Sequence, residues 1–468
     1  MKMKVLAIIS VFSLGFQGYY AIGQTTLNDL VSYTLNHSRE IKKAELQCKE
    51  ANYIRKEALG QGLPQVEASA SYSKMVLPEI AIPASTGQQL GGILDMIINE
   101  SVDAQTKQGM KDQISGLLNQ LSSLDALYTA SAGVQVTQLI YNQAYWVGLK
   151  TTRKTQELYS ILKTKTEEDV IAEVATGYYQ IGSLMLQMQT IDKSLKNLKE
   201  IHHIAELSYK NDLTKESNVN RLKVTITNLE VTRQTIKNGI DIQLNYLKAL
   251  AGMPADTALA IDTANMVNNF ENKDLSSAFN IENVSSYQAM LKQEEVYNQQ
   301  VKLAKAKYYP TIAAFGQFNY SSYSTSSEIT KMNNMNTFGL SFKMPIFTSG
   351  ISNAKVQQAK LKQAQLNEDI LKSNDLLTIN YNNSFMEYQT ARDMLVVQKE
   401  NKELAQKVFS QTSSQYKEGM ASMADLLTVN SDFLQADNSL NQQILKCKTA
   451  EIKMLKASGN LKSIATKK

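Results

Sequence analysis

The sequence predicts a mixed, mainly α chain that is internally duplicated, with four strands and two pairs of very long coiled-coil helices. Three observations predict it. Paired motifs recur at one spacing, as Tyr209-Lys210 and Tyr416-Lys417 do at 207 residues. Four segments alternate apolar and polar residues with the period of a strand. Residues 351–418 contain neither glycine nor proline, so a helix there meets no breaker.

The N-terminus has the layout of an export signal. Lys2 and Lys4 precede an apolar run from Val5 to Phe16, and Ala21-Ile22-Gly23 offers small residues at a cleavage site. Residues 1–23 are therefore expected to be a signal peptide, cut before Gln24. The run is short for a membrane span, and no cysteine follows it to carry a lipid. Net charge falls from +5 to +3 when the two lysines leave. Beyond this segment no stretch of about 18 apolar residues occurs, so the mature chain is either soluble or crosses a membrane as strands.

The first repeat is expected over 24–255, as a helix, strands at about 64–76 and 132–141, and a long helical hairpin turning near 209–217. A linker region follows at 256–285. The second repeat, 286–461, has strands at about 309–320 and 336–347 and a hairpin turning near 416–422, leaving a tail at 462–468. The correspondence is tight. Ala251-Gly252 and Ser458-Gly459 each end a long helical segment, again 207 residues apart, and Thr137–Tyr141 resembles Lys343–Phe347 at a shift of 206. Leu63–Val66 resembles Tyr309–Ile312 at a shift of 246, so the first half carries an insertion, roughly 78–130. There Ile93, Leu94, Met96, Ile97 and Ile98 precede Ile114, Leu117, Leu118 and Leu121 at helical spacing, predicting an outer loop with short helices.

In the strands, Phe338, Leu340, Phe342 and Met344 alternate with small or polar residues. Ile312, Ala314, Gly316, Phe318 and Tyr320 share one face, and Val66, Ala68, Ala70 and Tyr72 another. The returning helix has a heptad seam at Leu426, Phe433, Leu440, Cys447 and Met454. The first-half counterpart is Val219, Ile226, Arg233, Ile240 and Leu247, with Arg233 its polar exception. Four strands cannot close a barrel, and an open edge in lipid leaves N–H and C=O groups unpaired. The closed form this predicts is a trimeric 12-stranded transmembrane β-barrel whose strands run on into a helical coiled-coil tunnel. Tyr141, Tyr145, Trp146, Tyr308, Tyr309 and Phe347 cluster where strands meet helices, the place of a membrane-interface belt against outer-membrane lipid, or of ordinary junction packing.

Other chemistry is not predicted. His202 and His203 are adjacent and point apart on a helix, so they make a poor metal pair with only His37 besides. Cys48 and Cys447 fall at different levels along the helices, and Cys447 belongs to the apolar seam. Neither a phosphate loop nor a catalytic constellation occurs, so no enzyme, cofactor or metal is expected. Basic residues are spread along the whole chain, which excludes the concentrated stripe of a nucleic-acid protein.

Tyr416-Lys-Glu-Gly419, Asp425-Leu426-Leu427, Leu455–Leu461 and Met344–Gly350 together resemble the TolC-like outer-membrane efflux family, and the layout covers nearly the whole mature chain. The resemblance implies a homotrimer in the outer membrane with a long periplasmic extension. It would be an export duct docked with a periplasmic adaptor (membrane fusion) protein and an inner-membrane RND or ABC-type pump. By position, Leu213, Gly419 and Met420 would be adaptor contacts, although Asp212 replaces the family's usual Gly in the first turn. Tyr416 and Asp425 would lie at the pore gate. Asn218 and Ala421 occupy places where relatives carry a linking acid and base, and they cannot form a salt bridge. The same duct could serve type I protein secretion, and a periplasmic coiled-coil scaffold without a pore is the reading from another class.

Overall fold

A computed structural model describes residues 25–76, 103–122, 126–262, 279–325, 327–328 and 331–464, with isolated positions between 86 and 96. The expected signal peptide, much of the insertion (including Leu94, Ile97 and Ile98), residues 263–278 of the linker region and the last four residues lie outside these.

The helices are α1 (Leu27–His37), α2 (Arg39–Gly60), α3 (Ala104–Ser122), α4 (Gln143–Lys210), α5 (Glu216–Ala251), α6 (Ser285–Lys305), α7 (Ile351–Lys417) and α8 (Met423–Ala457). The strands are β1 (Gln65–Val76), β2 (Ala126–Asn142), β3 (Thr311–Ser324) and β4 (Asn333–Lys343). At about 1.5 Å per residue, the 68 residues of α4 and 67 of α7 each extend about 100 Å. No described helix is long and apolar enough to cross a membrane.

The chain divides into two compact units. One holds residues 1–51, 155–295 and 364–468; the other holds 52–154 and 296–363. The first is helical. Its core gathers Leu30 and Val31 of α1, Ile171, Val174, Ile181, Leu198 and Ile201 of α4, Leu222 and Leu247 of α5, and Leu426 of α8. A second cluster joins Tyr388, Ala391 and Leu395 of α7 to Ile444, Cys447 and Met454 of α8. Cys48 and Cys447 are both free thiols. Burial raises both pKa values, so they behave as packing groups.

The duplication reaches into the hydrogen bonds that end the helices. Gly252 (φ +72°) and Gly459 (φ +74°) both take the left-handed conformation after α5 and α8. Gly252 N–H donates to the Ala249 carbonyl and Met253 N–H to that of Lys248; Gly459 and Asn460 donate likewise to Lys456 and Leu455. Each glycine lies against a backbone carbonyl, Gly252 against His37 and Gly459 against Asn283. The glycines are offset by 207 residues and the carbonyls by 246, the two shifts found in the sequence.

The second unit is built on an antiparallel sheet in the order β1-β2-β3-β4. Gln65 pairs with Thr137, Thr137 with Phe315, and Thr311 with Lys343. The strands depart from their expected limits. β2 starts at Ala126 because Ala126–Tyr128 pair with Lys74–Val76, which takes 126–130 out of the expected insertion. β3 runs on to Ser324. β4 ends at Lys343 rather than 347, since Pro345 cannot donate to a ladder. A bulge between Leu139 and Tyr141 interrupts the β2–β3 register.

Candidate functional site

Cross-strand pairing sorts the sheet into two faces. One carries Val66, Ala68, Ala70 and Tyr72 of β1, Ala132, Val134 and Val136 of β2, Ile312, Ala314, Gly316, Phe318 and Tyr320 of β3, and Phe338, Leu340 and Phe342 of β4. Phe338 and Leu340 are 67% and 74% exposed. An exposed apolar face this continuous is a membrane surface rather than a wetted one. The other face is polar: Glu67, Ser69, Ser71, Gln135, Thr129, Gln317, Asn319, Thr337 and Ser341. Ser71 pairs with Ser131 at 2.8 Å and Ser73 with Thr129 at 2.6 Å, oxygen to oxygen. On the polar face the Phe315 ring lies over Gly339, where a Cβ would sit 2.8 Å from it, and Leu139 and Met335 are further apolar members. Phe338 fills the space above Gly316 and meets Phe318 edge-on at 5.1 Å between centroids.

At one end of the sheet stand the six junction aromatics. Tyr141 follows the bulge, and Tyr145 and Trp146 open α4, ring to ring at 5.2 Å. The Tyr145 hydroxyl donates to the Leu59 carbonyl at 3.4 Å. Tyr308 and Tyr309 precede β3, and Phe347, 85% exposed, follows β4. The other end carries aromatics the sequence reading passed over. Tyr72, Tyr128 and Tyr320 lie on the apolar face near the far strand ends, Tyr72 and Tyr128 being 6.3 Å apart between ring centroids. From Tyr309 to Tyr320 is about 36 Å of strand, or under about 30 Å along the normal at a tilt near 40°, which matches a bilayer's apolar thickness. The signal was present in the sequence as tyrosines in phase with the alternation.

The remaining candidate residues lie in the helical unit, in two turns. After α4, Asp212 N–H donates to the Tyr209 carbonyl and Leu213 N–H to that of Ser208; after α7, Gly419 and Met420 donate to Tyr416 and Gln415. The motif is the same in both. Asp212 adopts φ +59° where Gly419 adopts +78°, so replacement of the glycine leaves the turn's geometry intact. Asp is among the few side chains that tolerate this region. Leu213 and Met420 are 79% and 69% exposed, the exposure an adaptor contact would need. Tyr416, Gly419, Met420, Ala421 and Asp425 come together in one turn, and Leu213 and Asn218 in the other.

Asp425 is the third residue of α8 and forms a capping box with Ser422. Ser422 Oγ donates to Asp425 Oδ2 at 2.6 Å, and Asp425 N–H donates to Ser422 Oγ at 3.1 Å. The Asn218 side-chain amide donates to Thr214 Oγ1 at 3.0 Å. Ala421 is partly buried and offers no polar group. Tyr416 packs against the main core, and burial pushes its phenol pKa up.

Between α4 and α8 runs a buried polar seam that sequence reading also missed. Ser194 donates to Asn430 Oδ1 at 2.8 Å, Gln187 to Asn438 Oδ1 at 2.9 Å, and Ser183 to the Asn441 carbonyl at 3.3 Å. Asn441 donates to Asp437, 2.9 Å away. Asn430 and Asp437 are seven residues apart, as seam positions are, and that spacing was the available clue.

An antiparallel sheet with one apolar side, a polar reverse side and two unpaired edges, joined to long helical hairpins, is an architecture that can form part of a membrane channel's wall. Residues 281–460 match the family model described as outer membrane efflux protein. Outer membrane protein TolC of Salmonella enteritidis is 21% identical over 329 residues, covering 66% of this chain and 65% of TolC, so the chain spans just under two thirds of that relative's length. Among solved structures, the outer membrane protein VceC of Vibrio cholerae aligns with a TM-score of 0.67 at 15% identity, over 92% of this chain and 96% of VceC. The Campylobacter jejuni CmeC outer membrane channel aligns with a TM-score of 0.70 at 14% identity, over 93% and 86%. Residues 281–460 thus match the outer membrane efflux family, and the chain has the fold of these outer-membrane channels.

Proposed function

We propose that three copies pair β4 of one with β1 of the next to close a twelve-stranded barrel, forming a passive export duct. A periplasmic adaptor docks at Leu213, Gly419 and Met420, and an inner-membrane pump of RND or ABC type supplies the driving force. The observation that carries this reading is the sheet itself. Its apolar face needs lipid and its two edges need partners, and closure among copies satisfies both. The chain has one polar sheet face to line a water-filled bore, and the pump sets the cargo, solute or protein.

The test is conductance in planar bilayers. The purified protein is expected to give small, stable openings, with larger ones when Tyr416 or Asp425 is replaced. A purified trimer without conductance in any of these forms would overturn the duct.

Asp425 has two candidate roles, a helix cap and a charged ring in the pore, and two substitutions separate them. Ser422→Ala keeps the charge and removes the cap, which should cost about 0.5–2 kcal/mol of stability and leave ion selectivity unchanged. Asp425→Asn removes three negative charges from the ring in a trimer and should lower the preference for cations. Equal selectivity in the two variants would leave Asp425 only its capping role.

A further inference from the structure

The insertion in the first repeat contains one long described helix, α3, which the duct reading does not use. Met110, Ile114 and Leu117 share one side of it, and the sequence continues that spacing at positions 118 and 121. On a helical wheel these positions span about 100°. The opposite side is polar, with Gln105, Gln108 and Asp112, and Gln108 donates to Asp112 Oδ1 at 3.0 Å. Asp103 caps the first turn, accepting from Thr106 N–H at 2.7 Å.

An amphipathic helix owes most of its stability to what covers its apolar side. Among the described residues no α3 side chain belongs to either buried core cluster, and Met110 and Leu117 are exposed. The side therefore awaits an occupant. We infer that α3 lies in the outer membrane's outward interface, with Met110, Ile114 and Leu117 dipped into the acyl chains of the lipid around the sheet.

Position favours lipid. Three residues separate Ser122 from Ala126, the first residue of β2, and Tyr128 lies just beyond. The end of α3 is thus tethered within about 20 Å of Tyr128, at the level of the tyrosines that mark the sheet's far end. The apolar face of the sheet and the apolar side of α3 then meet one continuous hydrocarbon layer. Charge points the same way. Lys107 falls within the apolar arc, at its N-terminal end and about 60° round from Met110. At a water–lipid boundary its ammonium extends to headgroup phosphates, whereas in a contact between copies of α3 it would be carried into a dry seam.

The inference rests on the sheet being in the membrane, and the experiment separates the two. Trp146 is the chain's one tryptophan, so W146F gives a silent background for two single-tryptophan reporters, L117W in α3 and L340W in β4. Each is reconstituted into phosphatidylcholine–phosphatidylglycerol vesicles, with or without bromine on the acyl chains near the headgroup. The L340W indole is expected to be blue-shifted and quenched by bromolipid, which checks the sheet. The L117W indole is expected to behave likewise and to be shielded from aqueous iodide. Quenching of the α3 reporter by iodide but not by bromolipid, while bromolipid quenches the sheet reporter, would overturn the inference and leave the sheet reading standing. A blue-shifted α3 reporter indifferent to both quenchers would also overturn it, in favour of a contact between copies. If the sheet reporter itself escapes bromolipid, both readings fall.

Discussion

Phe338→Arg is expected to abolish recovery of folded protein from the outer membrane, while Thr337→Arg, one residue away, is expected to assemble and to change conductance. The two positions differ only in face. Phe338 pairs with Gly316 and Thr337 with Gln317, so successive side chains point to opposite sides of the sheet. Phe338 lies between the two ends marked by aromatics, near the middle of the membrane, where an arginine on the lipid side costs about 2–4 kcal/mol. Loss of the ring also removes the contact with Phe318 and the cover over Gly316. If each copy contributes one such site, the penalty applies three times in an assembly. Thr337 faces the polar side, where a guanidinium meets water and hydroxyls and alters only the local field. The measurement is the heat-modifiable folded band in membrane fractions, followed by single-channel recording of the survivor. Equal tolerance of both substitutions, or worse assembly of Thr337→Arg, would refute the assignment of faces.

The assignment of faces was legible in the sequence because the period of a strand is two and the apolar set in each strand is nearly pure. The long helices were legible for a related reason, the absence of any breaker between 351 and 418. What stayed hidden depended on contacts between segments far apart in the chain. In the second repeat Phe409 stacks on Phe433 with ring centroids 5.6 Å apart. At the matching places in the first repeat stand His202 and Ile226. Leu440 likewise corresponds to Arg233, which finds Asp192 on the facing helix. Two copies of one plan have thus packed their seams differently, and no periodicity within a single segment announces the compensating partner. The same holds for the polar seam, where Ser194 and Asn430 each look like solvent-facing residues until the helices are placed together. Among the candidate residues, sequence reading identified the turns, but it took Asp212 as a break in the pattern. The backbone shows that it holds the same left-handed turn as Gly419.

The duplicated glycines allow the plan itself to be tested. Gly252, Gly419 and Gly459 all have positive φ, and any L-residue there bears strain of about 1–2 kcal/mol. Their surroundings differ. A Cβ on Gly419 would meet nothing within 4 Å, whereas on Gly252 it would lie 2.2 Å from the His37 carbonyl oxygen and on Gly459 2.4 Å from that of Asn283. Neither carbonyl can give way cheaply. His37 ends α1, whose Leu30 and Val31 are fully buried, and Asn283 leads into α6 through Ser285, buried and bonded to Glu168 at 2.8 Å. Displacing these segments adds an overpacking cost of about 1–3 kcal/mol. Gly252→Ala and Gly459→Ala are therefore expected to destabilise by roughly 2–5 kcal/mol, and Gly419→Ala by only the strain. Denaturant unfolding of the three variants in detergent gives the ranking. A Gly419→Ala loss as large as the other two would show that strain alone governs, and that the close approach of α1 and α6 to the helix ends carries no weight. The expected order instead makes each repeat a closed unit, in which the end of the returning helix is pinned by the start of its own repeat.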